Sequence, residues 1–269
     1  MLHRSKKDSI AKAFNAVLQN RTLLFPTEST FKRNEPFHRV LYHAFEAQLQ
    51  TRSQDVTSIL QVSSWVQGVN TSMGSFFERV ACILSGGKKM AFTTKKKTSL
   101  KISDTQTTKI KQIWNKPKSG NTSPNEESEI AEILSASSLK MQEAADFTVD
   151  VFWETHDSIT AIELKSVRPN KGESAGEKQK MLEAKIALHN SFPDKKILYF
   201  IGFPFDPTNP TPLGYDKKRF MQYLIGGGNY FAPEEFMLGS ELWDFLSGEK
   251  NTMRQILAIM ENVVGNRAR

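Results

Sequence analysis

Apolar positions fall first at helical spacing and later at strand spacing along this chain. Residues 5–20 and 36–70 read as helices. In the second, Phe37, Val40, Leu41, Ala44, Phe45 and Leu49 recur at helical spacing, which is one buried helical face. Between them lies a connector with Pro26 and several Ser and Thr. A third helix is predicted from Ser72 to Leu84, with Gly86-Gly87 as its stop. Gly86 to Lys118 reads as short strands or irregular structure. Lys116–Glu127, with two Pro and Gly-Asn-Thr-Ser, reads as a loop. Glu129–Gln142 is predicted helical.

The period then changes to two. Val149, Val151 and Trp153 mark one strand, Ile159, Ile162 and Leu164 a second, and Glu154–Ser158 the turn between them. A loop rich in Gly and Lys is expected at 168–176, then a helix over Glu177–Asn190. Lys196–Phe203 is a continuous apolar run, the mark of a buried central strand. Pro204–Tyr215 holds four Pro and reads as a loop. Helices are predicted at 216–225 and 233–264, the latter broken near Gly248. There is no internal repeat and no coiled coil.

The two short strands carry chemistry. Side chains alternate across a strand, so Glu163 and Lys165 share one face while Ile162 and Leu164 take the other. Folding the hairpin about residues 156 and 157 sets Asp150 beside Glu163. Two carboxylates and an ammonium then converge. A magnesium-dependent phosphodiester hydrolase needs this set: hard oxygen ligands for the metal and a lysine near the attacking water.

Asp150, twelve residues, then Glu163-Leu164-Lys165 resembles the PD-(D/E)XK nuclease signature. The sequel Ser166-Val-Arg168-Pro169-Asn170-Lys171-Gly172 resembles the segment after that motif in some type II restriction endonucleases, with the TdeIII-like group as the suggested match. The resemblance covers roughly residues 70–250. No Pro precedes Asp150, and Asp146, after Ala-Ala, is a second candidate for the first acid; hairpin register favours Asp150.

This resemblance implies an α/β restriction-endonuclease-like core, a mixed central sheet with helices on both faces. Residues 1–70 would be a helical addition for dimerisation or DNA contact. Residues 71–269 would be the nuclease core with a C-terminal helical segment, the whole one compact unit. It implies a Mg2+-dependent enzyme that cleaves double-stranded DNA at a short palindromic site, leaves 5′-phosphates and acts as a homodimer. Asp150 and Glu163 would hold the metal, and Lys165 would position or deprotonate the water. Related nucleases often add a carboxylate from the preceding helix, where Glu78 sits. Glu78 would add a ligand or shape the pocket if its side of the helix faces the site; the apolar face of Phe76, Phe77, Val80, Ile83 and Leu84 favours instead a solvated Glu paired with a surface Arg. Arg168, Asn170 and Lys171 would touch DNA, since Arg can read guanine and Asn adenine. The alternatives are another nuclease of the same core, acting in repair, on junctions or in mobile elements, and a non-catalytic DNA-binding protein. The intact Asp, Glu and Lys argue against the last.

Charge sharpens this picture. Net charge is +7, and between Gly86 and Lys118 there are ten Lys against one acid, Asp104. Clustered Lys, including Lys95, Lys96 and Lys97, suits phosphate contact. Composition also narrows the classes. No apolar run spans a bilayer, and no secretory leader is apparent. A lone Cys82 fits a reducing cytoplasm and packing rather than a disulfide. The five His lack ligand spacing for zinc. Gly226-Gly-Gly228 does not make a P-loop, so ATP use is not expected.

Overall fold

A computed structural model describes residues 1–25, 56–116, 123–165, 171–224 and 227–267. Its strands are β1 (Lys88–Phe92), β2 (Lys101–Ser103), β3 (Met141–Glu143), β4 (Phe147–Glu154), β5 (Ser158–Leu164), β6 (Lys196–Phe203) and β7 (Phe236–Leu238). Five of them form a mixed sheet in the order β1-β4-β5-β6-β7, and β2 pairs with β3 apart from it. β4 and β5 are the predicted hairpin. Val151 lies opposite Ile162 and Glu154 opposite Ile159. Thr155 closes the turn, its amide donating to Ser158 O at 2.8 Å. β5 and β6 run parallel, so a crossover must join them.

The helices are α1 (Arg4–Leu23), α2 (Val56–Ser85), α3 (Asp104–Asn115), α4 (Glu126–Ser135), α5 (Lys171–Ser191), α6 (Lys217–Tyr223), α7 (Gly227–Tyr230), α8 (Ser240–Ser247) and α9 (Thr252–Arg267). α5 is the crossover. It packs Met181, Ala184 and Leu188 against Val149, Phe152, Ile159 and Tyr199 on one sheet face. α1, α2, α8 and α9 cover the other face, around Val151, Ile162, Phe76 and Trp243. A satellite core joins α3, α4 and the back of α5 through Ile110, Ile133 and Ile186.

Several expected boundaries differ. Residues 36–55 of the second predicted helix lie outside the described residues. From Val56 the helix is continuous with the third to Ser85, running unbroken across residues 70–71. It stops at Gly86, whose φ of 72° is a left-handed conformation that glycine adopts without strain. The Lys-rich segment contains a helix, α3. Its start is encoded by a capping box: Ser103 Oγ accepts from Gln106 N while Gln106 Oε1 accepts from Ser103 N. The helix expected at 129–142 starts earlier, at Glu126, where Asn125 caps it, and ends at Ser135; Met141–Glu143 is strand. The loop expected at 168–176 is helical from Lys171. The helix expected at 233–264 contains a strand, β7, which three residues cannot announce by periodicity.

Candidate active site

The site forms at the C-terminal end of β5, where β4 departs from regular geometry. Lys88 lies opposite Phe152 and Met90 opposite Val149. Two steps along β1 therefore face three along β4, so β4 carries one extra residue across from Lys89. Such a bulge switches the faces of the side chains around it. Val149 packs into one core, while Val151 and Trp153 pack into the other. Asp150 sits at this switch, 8% exposed.

The register brings the candidate residues together. Asp150 Oδ2 accepts a hydrogen bond from the Leu164 amide at 2.9 Å, tying the acid to the Glu163-Leu164-Lys165 strand end. Its Oδ1 lies 2.9 Å from Lys89 Nζ. Lys89 also reaches Glu78 Oε2 at 2.8 Å. Glu78 is thus joined to Asp150 through a shared ammonium, and its partner is Lys89 rather than a surface Arg. The two acids, Glu78 first and then Asp150, hold the Lys89 ammonium well above its ordinary value.

Around Glu163 the charges alternate. Glu163 Oε1 is 3.1 Å from Lys165 Nζ and 3.0 Å from Lys180 Nζ, and Lys165 Nζ is 2.9 Å from Glu177 Oε1. Burial alone would push the Lys165 ammonium down. The hydrogen bond to Glu177 and the charge of Glu163 more than offset this and raise it. Tyr199, on β6 opposite Ala161, is pushed well up by burial, with Glu163, Glu177 and Asp150 all adding to the effect.

Asp146 is elsewhere. It precedes β4 and is exposed, and its carboxylate accepts from the Thr93 hydroxyl and, at 2.9 Å, from the Thr94 amide. These bonds hold its carboxyl below the ordinary range. They anchor the turn Thr94–Lys96, from which Lys95, Lys96 and Lys97 project into solvent. Arg168 and Asn170 lie outside the described residues, and Lys171 opens α5.

Lys89, Glu177 and Lys180 were not signalled by the motif. Glu177 and Lys180 are three apart at the start of the predicted helix after it, the one local sign that they share a face. Among the described residues, no three His, Cys, Asp or Glu side chains gather closely enough to hold a metal unaided. Asp150 and Glu163 supply hard carboxylate oxygens, a donor type that suits magnesium; substrate phosphate and water would complete its shell. Cys82, whose thiol lies 3.4 Å from Asp150 O, contributes packing beneath the site.

A mixed sheet flanked by helices, with acids and lysines gathered at a strand end, suits hydrolysis of a phosphodiester. Residues 4–264 match the family model described as Type II restriction endonuclease, HinfI. The chain belongs to this family and is a type II restriction endonuclease, a site-specific deoxyribonuclease. It is 42% identical over 253 residues to the type II restriction enzyme MjaII of Methanocaldococcus jannaschii, covering 92% of this chain and 67% of that one. The segment after Lys165 suggested the TdeIII-like group, whereas the matching model is HinfI. Among the described residues, no helix is long and apolar enough to cross a membrane.

Proposed function

We propose that this restriction endonuclease cleaves double-stranded DNA at a short palindromic site through a magnesium-dependent PD-(D/E)XK centre, as a homodimer with one centre per strand. The observation that carries the reading is the Leu164 amide bound to Asp150, which sets the first acid against the strand end bearing Glu163 and Lys165. Asp150 and Glu163 would hold the magnesium, which when bound would supply an activated water and offset charge on the phosphate. Lys165, in contact with Glu177 and Glu163, positions or deprotonates the attacking water and offsets charge on the scissile phosphate. Lys89 balances Glu78 and Asp150, which limits repulsion as a polyanion approaches. Glu78 shapes the pocket through Lys89. Lys95, Lys96 and Lys97 contact phosphates, and Arg168, Asn170 and Lys171, next in the chain after the strand end, contact the DNA beside the cut. The N-terminal helical region and the C-terminal helices contribute the dimer or further DNA contacts. Cleavage leaves 5′-phosphate and 3′-hydroxyl ends. Such an enzyme works in the cytoplasm beside a methyltransferase that protects the host site.

The test is digestion of unmethylated phage DNA with magnesium by wild type, Asp150→Asn and Lys165→Ala. Discrete fragments from wild type that vanish in both variants are expected. Undiminished cleavage by either variant would remove that residue from the centre, and no cleavage of duplex by wild type would overturn the reading.

A further inference from the structure

α5 presents Glu177 and Lys180 on one face, three residues apart, to the end of β5. The contacts run Glu177–Lys165–Glu163–Lys180, an unbroken alternation of charge at 2.9, 3.1 and 3.0 Å. The four side chains are 12–30% exposed, so water reaches them only in part.

We propose that Glu177 is a positioning residue for DNA cleavage, fixing the Lys165 ammonium at the end of β5, and that Lys180 balances the added negative charge. This deepens the reading of Glu163 and Lys165 as the cleavage centre and rests on it. A lysine carries a point charge on a flexible stem, and immobilising such a side chain costs rotamer entropy. Glu163 alone restrains it poorly. It lies two residues away on the same strand, and a cation bound at Glu163 would compete for the same carboxylate. Glu177 stands on a different element, one anchored from behind by the buried contacts of Lys178 with Glu235 at 2.7 Å and Glu129 at 2.6 Å. Two acceptors on two elements define a direction that one acceptor does not. An incidental surface pair would hold Lys165 without consequence for rate.

Four proteins separate these cases: the full chain as wild type, Glu177→Ala, Glu177→Gln and Lys165→Ala. Each is assayed for single-turnover cleavage with magnesium and for duplex affinity with calcium in its place, and the three that keep Lys165 for its reductive methylation, read by mass spectrometry without metal or DNA. Glu177→Ala is expected to cleave about ten- to hundredfold more slowly, with duplex affinity unchanged and Lys165 more readily methylated. Glu177→Gln keeps an accepting oxygen and is expected to restore most of the rate and the protection. Wild-type cleavage by Glu177→Ala, or a Gln variant as slow and as readily methylated as the Ala variant, would overturn the positioning role. Undiminished cleavage by Lys165→Ala would instead overturn the centre itself. An inactive Lys165→Ala beside a fully active Glu177→Ala would remove Glu177 alone.

Discussion

Asp150 sits where β4 carries its extra residue, and its two oxygens meet Lys89 Nζ and the Leu164 amide. Asp146, four residues earlier, meets Thr93 and Thr94 and anchors a lysine turn. The same side chain thus has different prospects according to its backbone surroundings. Asn can reproduce the Asp146 bonds, accepting from the Thr94 amide and donating to the Thr93 hydroxyl. Asp146→Asn is therefore expected to cleave like wild type, while Asp146→Ala loosens the turn and weakens DNA binding. Loss of cleavage in Asp146→Asn would instead make Asp146 the metal-binding acid. The pH dependence has a definite sign. The Thr93 and Thr94 bonds lower the folded pKa from 3.8, so this clamp contributes above the ordinary carboxylate range and is lost as pH falls through the lowered value. Urea unfolding of wild type and Asp146→Ala is expected to differ at neutral pH and converge in acid.

At the scale of elements, α5 joins site and scaffold. One face carries Glu177 and Lys180 to the end of β5, and another carries Lys178 and Lys185 into a buried ionic cluster. Lys178 is 2% exposed and Glu235 fully buried. Glu235 also accepts from the Ala232 amide at 2.8 Å, which fixes the turn entering β7. Lys185 pairs with Glu126 of α4. Removing one member of a buried pair leaves the other charge uncompensated, at a cost of about 3–5 kcal/mol. Lys178→Met is expected to lower stability by about that amount, read from the urea midpoint. An unchanged midpoint would mean that the cluster contributes nothing net. The missed helix α3 belongs to this scale too: its signal was the Ser103–Gln106 capping box, masked by lysines around it.

For the whole molecule, the positive excess matters through its placement. The turn bearing Lys95, Lys96 and Lys97 follows β1, the strand that supplies Lys89 to Asp150, so one edge of the sheet carries both the cation at the proposed centre and the exposed lysines. Phosphate contacts release counterions, and each contact removed lowers the slope of log affinity against log salt by about 0.9. The triple variant Lys95→Ala, Lys96→Ala, Lys97→Ala is expected to bind duplex more weakly with a shallower salt slope, measured with calcium in place of magnesium. An unchanged slope would place the DNA elsewhere.

The local pattern determined the β4–β5 hairpin, the buried β6 strand, the helices on either side of them and the grouping of Asp150 with Glu163 and Lys165. Alternation and turn residues are short-range, and together they set the register of a hairpin with a buried face. Tertiary structure decided what lies across space from that strand end. Lys89 arrives from an edge strand and Glu78 from the long helix beyond it. Glu177 and Lys180 come from the crossover helix, and β7 exists because β6 offers it an edge. Their spacing along the chain carries no trace of these meetings, because the contacts join elements brought together by packing on opposite faces of one sheet.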